Sequence, residues 1–376
     1  MNTYAFIGHY LGTQHFCDLI GRPGPLFRQL PNPWLKQLIR TLPPYEFLKM
    51  PPLVAPSGSV AKGYGIIAPL LPEYLVTWGE QPVLQKVIAA GRLAEQLGAQ
   101  IVGLAGFTSV VGNEGEELAK HLHIAVTSGN SLTAALTLQG LRKGADLMGI
   151  QLKEATAAVI GATGDIGSIC TRVLAKEVGR LHLAARNTSR VEEFASQVER
   201  ESGCSVRVMK YVRDAIRDAD LILTATSAIT TLIEAQDVKS GAVICDVAIP
   251  RNVGSNLVRE RDDVLVFEGG LAKLPAPYLE GNQRWSYLSP DSVTIFGCLA
   301  ETMVLALEGR FESFSLGRGR ITPERIREIE TIADIHGFRL ADFRYGDMVW
   351  TEERLQQLRV NAKRNNYRIT AESVSI

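Results

Sequence analysis

The chain has 376 residues, 46% of them hydrophobic and 21% charged, and its 40 basic residues match its 40 acidic ones. This composition suits a globular enzyme large enough for two domains, and its neutrality offers no global field to nucleic acid or to an anionic membrane. No apolar run reaches the roughly 18–20 residues that span a bilayer, and residues 1–9 lack the basic start of a signal peptide. Five cysteines (Cys17, Cys170, Cys204, Cys245 and Cys298) fall at irregular spacings. Such spacing fits neither a disulfide framework nor a zinc site, so a reducing cytoplasm and no metal are expected.

In chain order, the first 55 residues are rich in proline and aromatics and carry little periodic signal. Part of a hairpin is expected at 60–64, after the turn-forming Pro56-Ser57-Gly58. Apolar residues at helical spacing predict a helix over 82–97, closed by Gly98, and a buried strand follows over 100–104. A short helix over 114–122 and a strand over 124–126 come next, and Asn130 or Ser131 is placed to cap a helix reaching about 147. His121 and His123 straddle a helix–strand junction and are read as structural. This alternation describes an α/β layer ahead of the next motif.

The apolar run 157–160 leads into Gly161-Ala162-Thr163-Gly164-Asp165-Ile166-Gly167, and a helical pattern begins at once. Strand, glycine turn and helix in that order are what a dinucleotide-binding unit requires. The first glycine allows the sharp turn, the second lets backbone N–H groups approach a pyrophosphate, and the third lets helix and strand pack closely. The phosphates then meet the positive N-terminus of the helix. The next strand, 181–185, leads into Arg186-Asn187 rather than an acid. An arginine there suits the 2′-phosphate of NADP, so NADPH is the expected cofactor, with Gly161, Thr163, Gly164, Asp165, Ile166, Gly167, Arg186 and Asn187 in its site.

A helix over 189–201 and strands over 205–209, 220–225, 243–247 and 264–267 extend the sheet, and Thr226-Ser227 joins the cofactor set. The expected fold class is therefore α/β: a doubly wound parallel-sheet NADP-binding domain, an N-terminal α/β substrate domain and C-terminal helices. The expected boundaries are 1–150, 151–288 and 289–376, and the polar, basic tail beyond 344 is expected to fray at its end. Within the last block the pattern predicts a helix over 291–308, with Pro290 in its first turn. Cys298 then lies mid-helix on a face shared with Thr294, Glu301 and Thr302. Gly297 beside it costs about 1 kcal/mol in a helix interior relative to alanine, which makes sense where a ligand or another backbone comes close. Two readings of Cys298 stand at this point: a nucleophile lining a cleft, or a small thiol filling a gap.

Segments spread from the N-terminus to about residue 340 carry a family resemblance. They are Phe6-Ile7-Gly8-His9, Gly106-Phe107-Thr108-Ser109, Thr127-Ser128-Gly129-Asn130, the glycine turn, Ala185-Arg186-Asn187 and Phe296-Gly297-Cys298 with Ala300-Glu301. Glu308-Gly309-Arg310, Ile321-Thr322 and His336-Gly337-Phe338 complete the set. Together they resemble the long-chain acyl-acyl-carrier-protein reductases, the aldehyde-forming enzymes of alkane biosynthesis. The resemblance implies that Cys298 accepts a fatty acyl group as a thioester and that NADPH reduces it to a fatty aldehyde. It also implies an acyl-acyl-carrier-protein or acyl-CoA substrate and an aldehyde-consuming oxygenase as partner.

In that scheme His9 is a conceivable base, while Thr108, Ser109, Ser128 and Asn130 are oxyanion donors or, equally, turn and cap formers. Arg318, Arg320, Arg325 and Arg327 form either a docking patch for an acidic carrier or an ordinary solvated face. The chain departs from the family in a longer segment before Val60, an added tail after Arg344, and Asp246-Val247-Ala248-Ile249-Pro250 in place of a more glycine-rich run. Two competing functions keep the cofactor but drop the covalent step: an alcohol, keto or amino-acid dehydrogenase, and a non-catalytic NADPH-binding protein.

Overall fold

The computed structural model describes residues 1–20, 27–228, 230–254 and 256–374. In place of three consecutive blocks, the chain forms two units that interleave along the sequence. One comprises Met1–Thr133 and Ala272–Arg339, the other Ala134–Leu271 and Leu340–Ile376. Both are α/β, as the sequence pattern predicts.

The first unit holds a five-stranded sheet in the order β2-β3-β1-β4-β5, built from β1 (Asn2–Gly8), β2 (Tyr45–Val54), β3 (Val60–Ile67), β4 (Ile101–Leu104) and β5 (Ala125–Thr127). Only β2 runs antiparallel to its neighbour. The central strand, β1, buries Tyr4, Ala5, Phe6 and Ile7 completely. A strand covered on both faces reads as an unbroken apolar run, as Tyr4-Ala5-Phe6-Ile7 does, but this one stands in a proline- and aromatic-rich segment with no regular helical pattern to mark it out. β2 carries Pro51 and Pro52, which cannot donate to a ladder and are tolerated on an edge, where the register also shifts between Met50 and Leu53.

The helices Glu80–Gln96 and Gly297–Glu308 pack on this sheet, the first on β1 and β3, the second on β1 and β4. The second comes so close that a Cβ on Gly103 of β4 would lie 1.9 Å from Thr302 Oγ1. His336 fastens the far end of that helix: its ring nitrogens lie 2.7 Å from Glu308 Oε2 and 2.9 Å from Ser57 Oγ on the β2–β3 turn. The short helix expected over 114–122 shrinks to Glu116–Ala119. Before it, Gly112, Asn113, Glu114 and Gly115 all take left-handed φ values of 62°, 55°, 55° and 81°, a conformation that costs non-glycine residues roughly 1–2 kcal/mol each.

The second unit is a six-stranded, fully parallel sheet in the order β11-β10-β9-β6-β7-β8. Its strands are β6 (Thr156–Ile160), β7 (Arg180–Ala184), β8 (Ser205–Val208), β9 (Leu221–Thr224), β10 (Val243–Asp246) and β11 (Leu265–Glu268). Read from its first strand this is the dinucleotide-binding order, whose direction reverses between β6 and β9. Ala158, Ile160, Ile222, Ile244 and Val266 contribute to its core. The tail forms a helix, Glu352–Val374, that docks on this unit through buried Leu358 and Ala362. Asn361 Nδ2 donates to Asp262 Oδ2 at 2.9 Å and Asn365 Nδ2 to Asp263 Oδ2 at 3.1 Å, so fraying does not start at the tail's beginning. Among the described residues, no helix is long and apolar enough to cross a membrane.

Candidate active site

Three strand-to-helix turns bring the expected cofactor residues to the carboxyl edge of the six-stranded sheet: the glycine turn after β6, Arg186-Asn187 after β7, and Thr226-Ser227 after β9. Gly161 takes φ +87°, and a Cβ there would lie 2.4 Å from Ala225 O. A Cβ on Gly167 would lie 2.2 Å from Gly161 O. Packing alone demands these two glycines. Gly164, the N-cap of the helix Asp165–Leu174, differs: the nearest atom to a Cβ there is 3.3 Å away, so the protein's own packing tolerates a methyl group with little adjustment. Bare backbone at that position is what a pyrophosphate approaching a helix N-terminus needs, and the turn therefore fits a dinucleotide. Thr163 and Ile166 are partly exposed on the turn, while Asp165 is buried in the first helical turn, where the helix dipole favours an acid.

Arg186 Nη2 donates to Ser227 Oγ at 3.2 Å, and both residues are exposed. Their strands flank β6, so the pair spans the strand that carries the glycine turn. Asn187 caps the helix Thr188–Ser202 by accepting the Arg190 N–H. Thr226 is committed inward: its hydroxyl donates to Asn252 Oδ1 at 2.6 Å and accepts the Ala228 N–H. Asn252, fully buried, also accepts from Thr224 Oγ1. Its own N–H is held by Asp246, which in addition accepts N–H groups of Ala248 and Val253 and the Tyr345 hydroxyl. Burial raises the Asp246 carboxyl above its ordinary value against the pull of these donors. This support beneath the cofactor loop, built from residues far apart in sequence, was not legible in advance.

In the first unit the helix carrying Cys298 begins at Gly297, not near 291. Asp291 Oδ1 accepts the Val293 N–H and Oδ2 the Thr294 hydroxyl, forming a turn. The β-branched Val293-Thr294-Ile295 then favours extended backbone, and Thr294–Phe296 is a strand. Pro290 consequently lies outside the helix, and Cys298 moves from mid-helix to the first turn, where N–H groups have no intrahelical partner.

The sulfur meets main-chain donors. The backbone N–H groups of Gly106, Leu299 and Cys298 itself pull its pKa down, whereas burial, the largest influence, pushes the thiol up to about 11 with the Glu301 charge adding to the rise. Cys298 nevertheless keeps some solvent access, while Cys17, Cys170, Cys204 and Cys245 are buried. Gly129, at φ +75°, lies flat on it: a Cβ there would come within 2.2 Å of Cys298 Cα.

His9 is not the base. Its Nδ1 donates to Tyr10 O and its Nε2 accepts the Phe107 N–H, both at 2.9 Å, so the ring positions the 106–107 backbone. Burial lowers its pKa to about 4, leaving it neutral. The hydroxyls considered as oxyanion donors are likewise taken by carbonyls. Thr108 Oγ1 lies 3.0 Å from Ile7 O, Ser109 donates to Gly106 O, and Ser128 donates to Ser315 O. Asn130 is buried at the start of the helix Asn130–Met148.

Glu301, one turn beyond Cys298 and fully buried, accepts from the Thr127 hydroxyl, from Ser315 Oγ at 2.7 Å and from the Leu132 N–H at 2.8 Å. The arginines considered for docking all carry carboxylate partners: Arg318 pairs with Glu114, Arg320 with Glu116, Arg325 with Glu328 and Arg327 with Glu324. That face is a neutralised one. Among the described residues, no cluster of His, Cys, Asp or Glu is arranged to hold a metal ion.

Comparison with known proteins agrees with this geometry. Residues 143–268 match the shikimate / quinate 5-dehydrogenase family model. A long-chain acyl-[acyl-carrier-protein] reductase of Synechococcus elongatus is 30% identical over 299 residues, covering 75% of this chain and 84% of that protein. The chain belongs to that family. It is an NAD(P)-dependent oxidoreductase by its relatives, and its six-stranded unit is a nicotinamide-cofactor-binding domain. An aminotransferase, PigE, of Serratia sp. is 29% identical over 338 residues, 89% of this chain, but the chain spans only 39% of that protein's length. Among solved structures, the L-tryptophan dehydrogenase of Nostoc punctiforme aligns over 98% of this chain and 89% of its own at 14% identity and a TM-score of 0.43.

Proposed function

We propose that this enzyme reduces a long-chain fatty acyl thioester, carried on acyl-carrier protein or CoA, to the aldehyde through an acyl group held on Cys298. The observation that carries this reading is the position of Cys298: a partly exposed cysteine in the first turn of a helix, its sulfur facing main-chain N–H groups. The sulfur attacks the thioester carbonyl, the bond to the carrier sulfur breaks, and the thiol proton leaves with the carrier. The N–H groups of Gly106 and Leu299 stabilise negative charge at the sulfur as it forms, and again when the aldehyde departs. Gly129 and the His9-anchored 106–107 backbone hold the nucleophile in place. A bound nicotinamide supplies the hydride that reduces the acyl carbon. Gly164 and the start of the helix Asp165–Leu174 would hold its pyrophosphate, and Arg186 with Ser227 its 2′-phosphate, which favours NADPH.

A dehydrogenase without a covalent step is the second reading, favoured by one observation: the resting thiol is protonated at neutral pH. Incubation with a palmitoyl thioester and NADPH separates the two. Aldehyde product, with a palmitoyl mass on the Cys298 peptide when NADPH is withheld, is the expected result. NADPH consumption that survives Cys298→Ala overturns it.

A further inference from the structure

We infer that Glu301 is a positioning residue that ties the Thr127-to-Leu132 loop to the nucleophile helix and so sets where the acyl carbonyl lies relative to Cys298. This rests on the acyl-thioester reading above.

An electrostatic role for Glu301 fails on sign. Its charge raises the pKa of the thiol it neighbours, so it works against the thiolate that acyl transfer needs. What it does instead is geometric. Four donors converge on its carboxylate: the Thr127 and Ser315 hydroxyls and the backbone N–H groups of Ser131 and Leu132. Burial raises this carboxyl above its ordinary value and the four donors pull it back; in its ionised form it offers about four lone-pair sites, so four donors fill it. Two of these donors are first-turn N–H groups of the helix Asn130–Met148, which have no intrahelical acceptor. Between Thr127 and Ser131 sits Gly129, pressed on Cys298 so closely that no Cβ fits. Ser315 tightens the arrangement, since its carbonyl accepts both the N–H and the hydroxyl of Ser128 while its own N–H donates to Thr127 Oγ1. One carboxylate thus joins three segments distant in sequence, and the loop it holds is the one lying against the nucleophile.

The role predicts two effects of opposite direction. Glu301→Gln keeps the shape but replaces acceptor sites with N–H donors that face other donors, so the loop loosens. Removing the negative charge, however, eases ionisation of Cys298. Acyl transfer from palmitoyl-CoA to Cys298, followed by intact mass in a single turnover, is expected to slow about 100-fold, the cost of a misplacement of about 1 Å. Alkylation of the same thiol by iodoacetamide, which needs no oriented acyl chain, is expected to hold its rate or rise between pH 7 and 9, with its pH midpoint lowered. Should Glu301→Gln not fold, Ser315→Ala removes one donor, leaves the carboxylate, and is expected to slow acyl transfer about threefold to tenfold without slowing alkylation. Acyl transfer within twofold of the wild type, or acyl transfer and alkylation falling by the same factor, overturns the inference alone. A wild-type chain that takes no acyl group overturns the proposed function and this inference with it.

Discussion

The glycine turn and the surroundings of Cys298 are built in opposite ways. Seven consecutive residues, Gly161 to Gly167, form nearly the whole of the turn, and two of its glycines are required by their own neighbours. The surroundings of Cys298 are assembled from His9, Gly106, Gly129 and the start of the helix Gly297–Glu308, whose members are up to 289 positions apart, from 9 to 298. A contiguous site carries its design in spacing, whereas a convergent one carries it in packing. The first therefore tolerates change in the rest of the fold better than the second.

The sharpest test of this convergent arrangement is Cys298→Ala, expected to lower aldehyde formation about 1,000-fold or more while leaving cofactor affinity unchanged, measured by product analysis and cofactor fluorescence titration. Gly129→Ala forces a left-handed residue to carry a Cβ into the Cys298 backbone, and a denaturant titration should show a loss of about 2–5 kcal/mol. Acid tests the same region without mutation. The unfolded His9 imidazole takes a proton near 6.5 but the folded one only near 4, so the unfolded state binds more protons in that window. Stability from this group is complete above pH 6.5 and falls by about 3 kcal/mol as pH drops to 4. Urea midpoints across that range should show the slope, and His9→Asn should flatten it.

On the side of the turn, Gly164→Ala should leave the free energy of unfolding within about 1 kcal/mol of the wild type yet weaken the cofactor about tenfold or more. Gly167→Ala should damage both. Arg186→Ala should weaken NADPH about 10- to 100-fold with NADH unaffected, the worth of a charge-assisted contact. The smallest effect is expected at the paired arginines: Arg320→Ala should change the KM for a carrier-bound substrate by less than about twofold, because Glu116 already neutralises it.

What was legible in the sequence follows the same division. The glycine turn, the following strand with its arginine, and the parallel order of the second unit are local patterns repeated in sequence, and all are present. β1 has an apolar run like those of β4 and β6, but the proline- and aromatic-rich segment around it lacks the helical periodicity that makes theirs readable. The helix carrying Cys298 starts later than its pattern suggests because Asp291 holds a turn and the β-branched 293–295 run is extended, so the place of Cys298 in the first helical turn could not be read from spacing. The base and oxyanion readings stay open in the sequence for a common reason: it shows that a histidine or hydroxyl exists, but not that Tyr10, Phe107, Gly106 or Ser315 has already claimed it. Glu301 stood in view as a charge beside a thiol. Its four donors come from segments that no spacing rule connects to it.

The two prolines of β2 bear on how this molecule behaves in crowded solution. An open border of a sheet otherwise invites any extended polypeptide to zip onto it, the first step of fibril growth. Pro51 and Pro52 withhold two successive amide hydrogens, the register shifts beside them, and the Tyr278 hydroxyl and the Arg284 guanidinium donate to the Pro51 and Phe47 carbonyls. That margin is thereby closed partly by its own chemistry and partly by the 278–284 segment, and swapping both prolines for valine should make the protein aggregate more readily without touching either site.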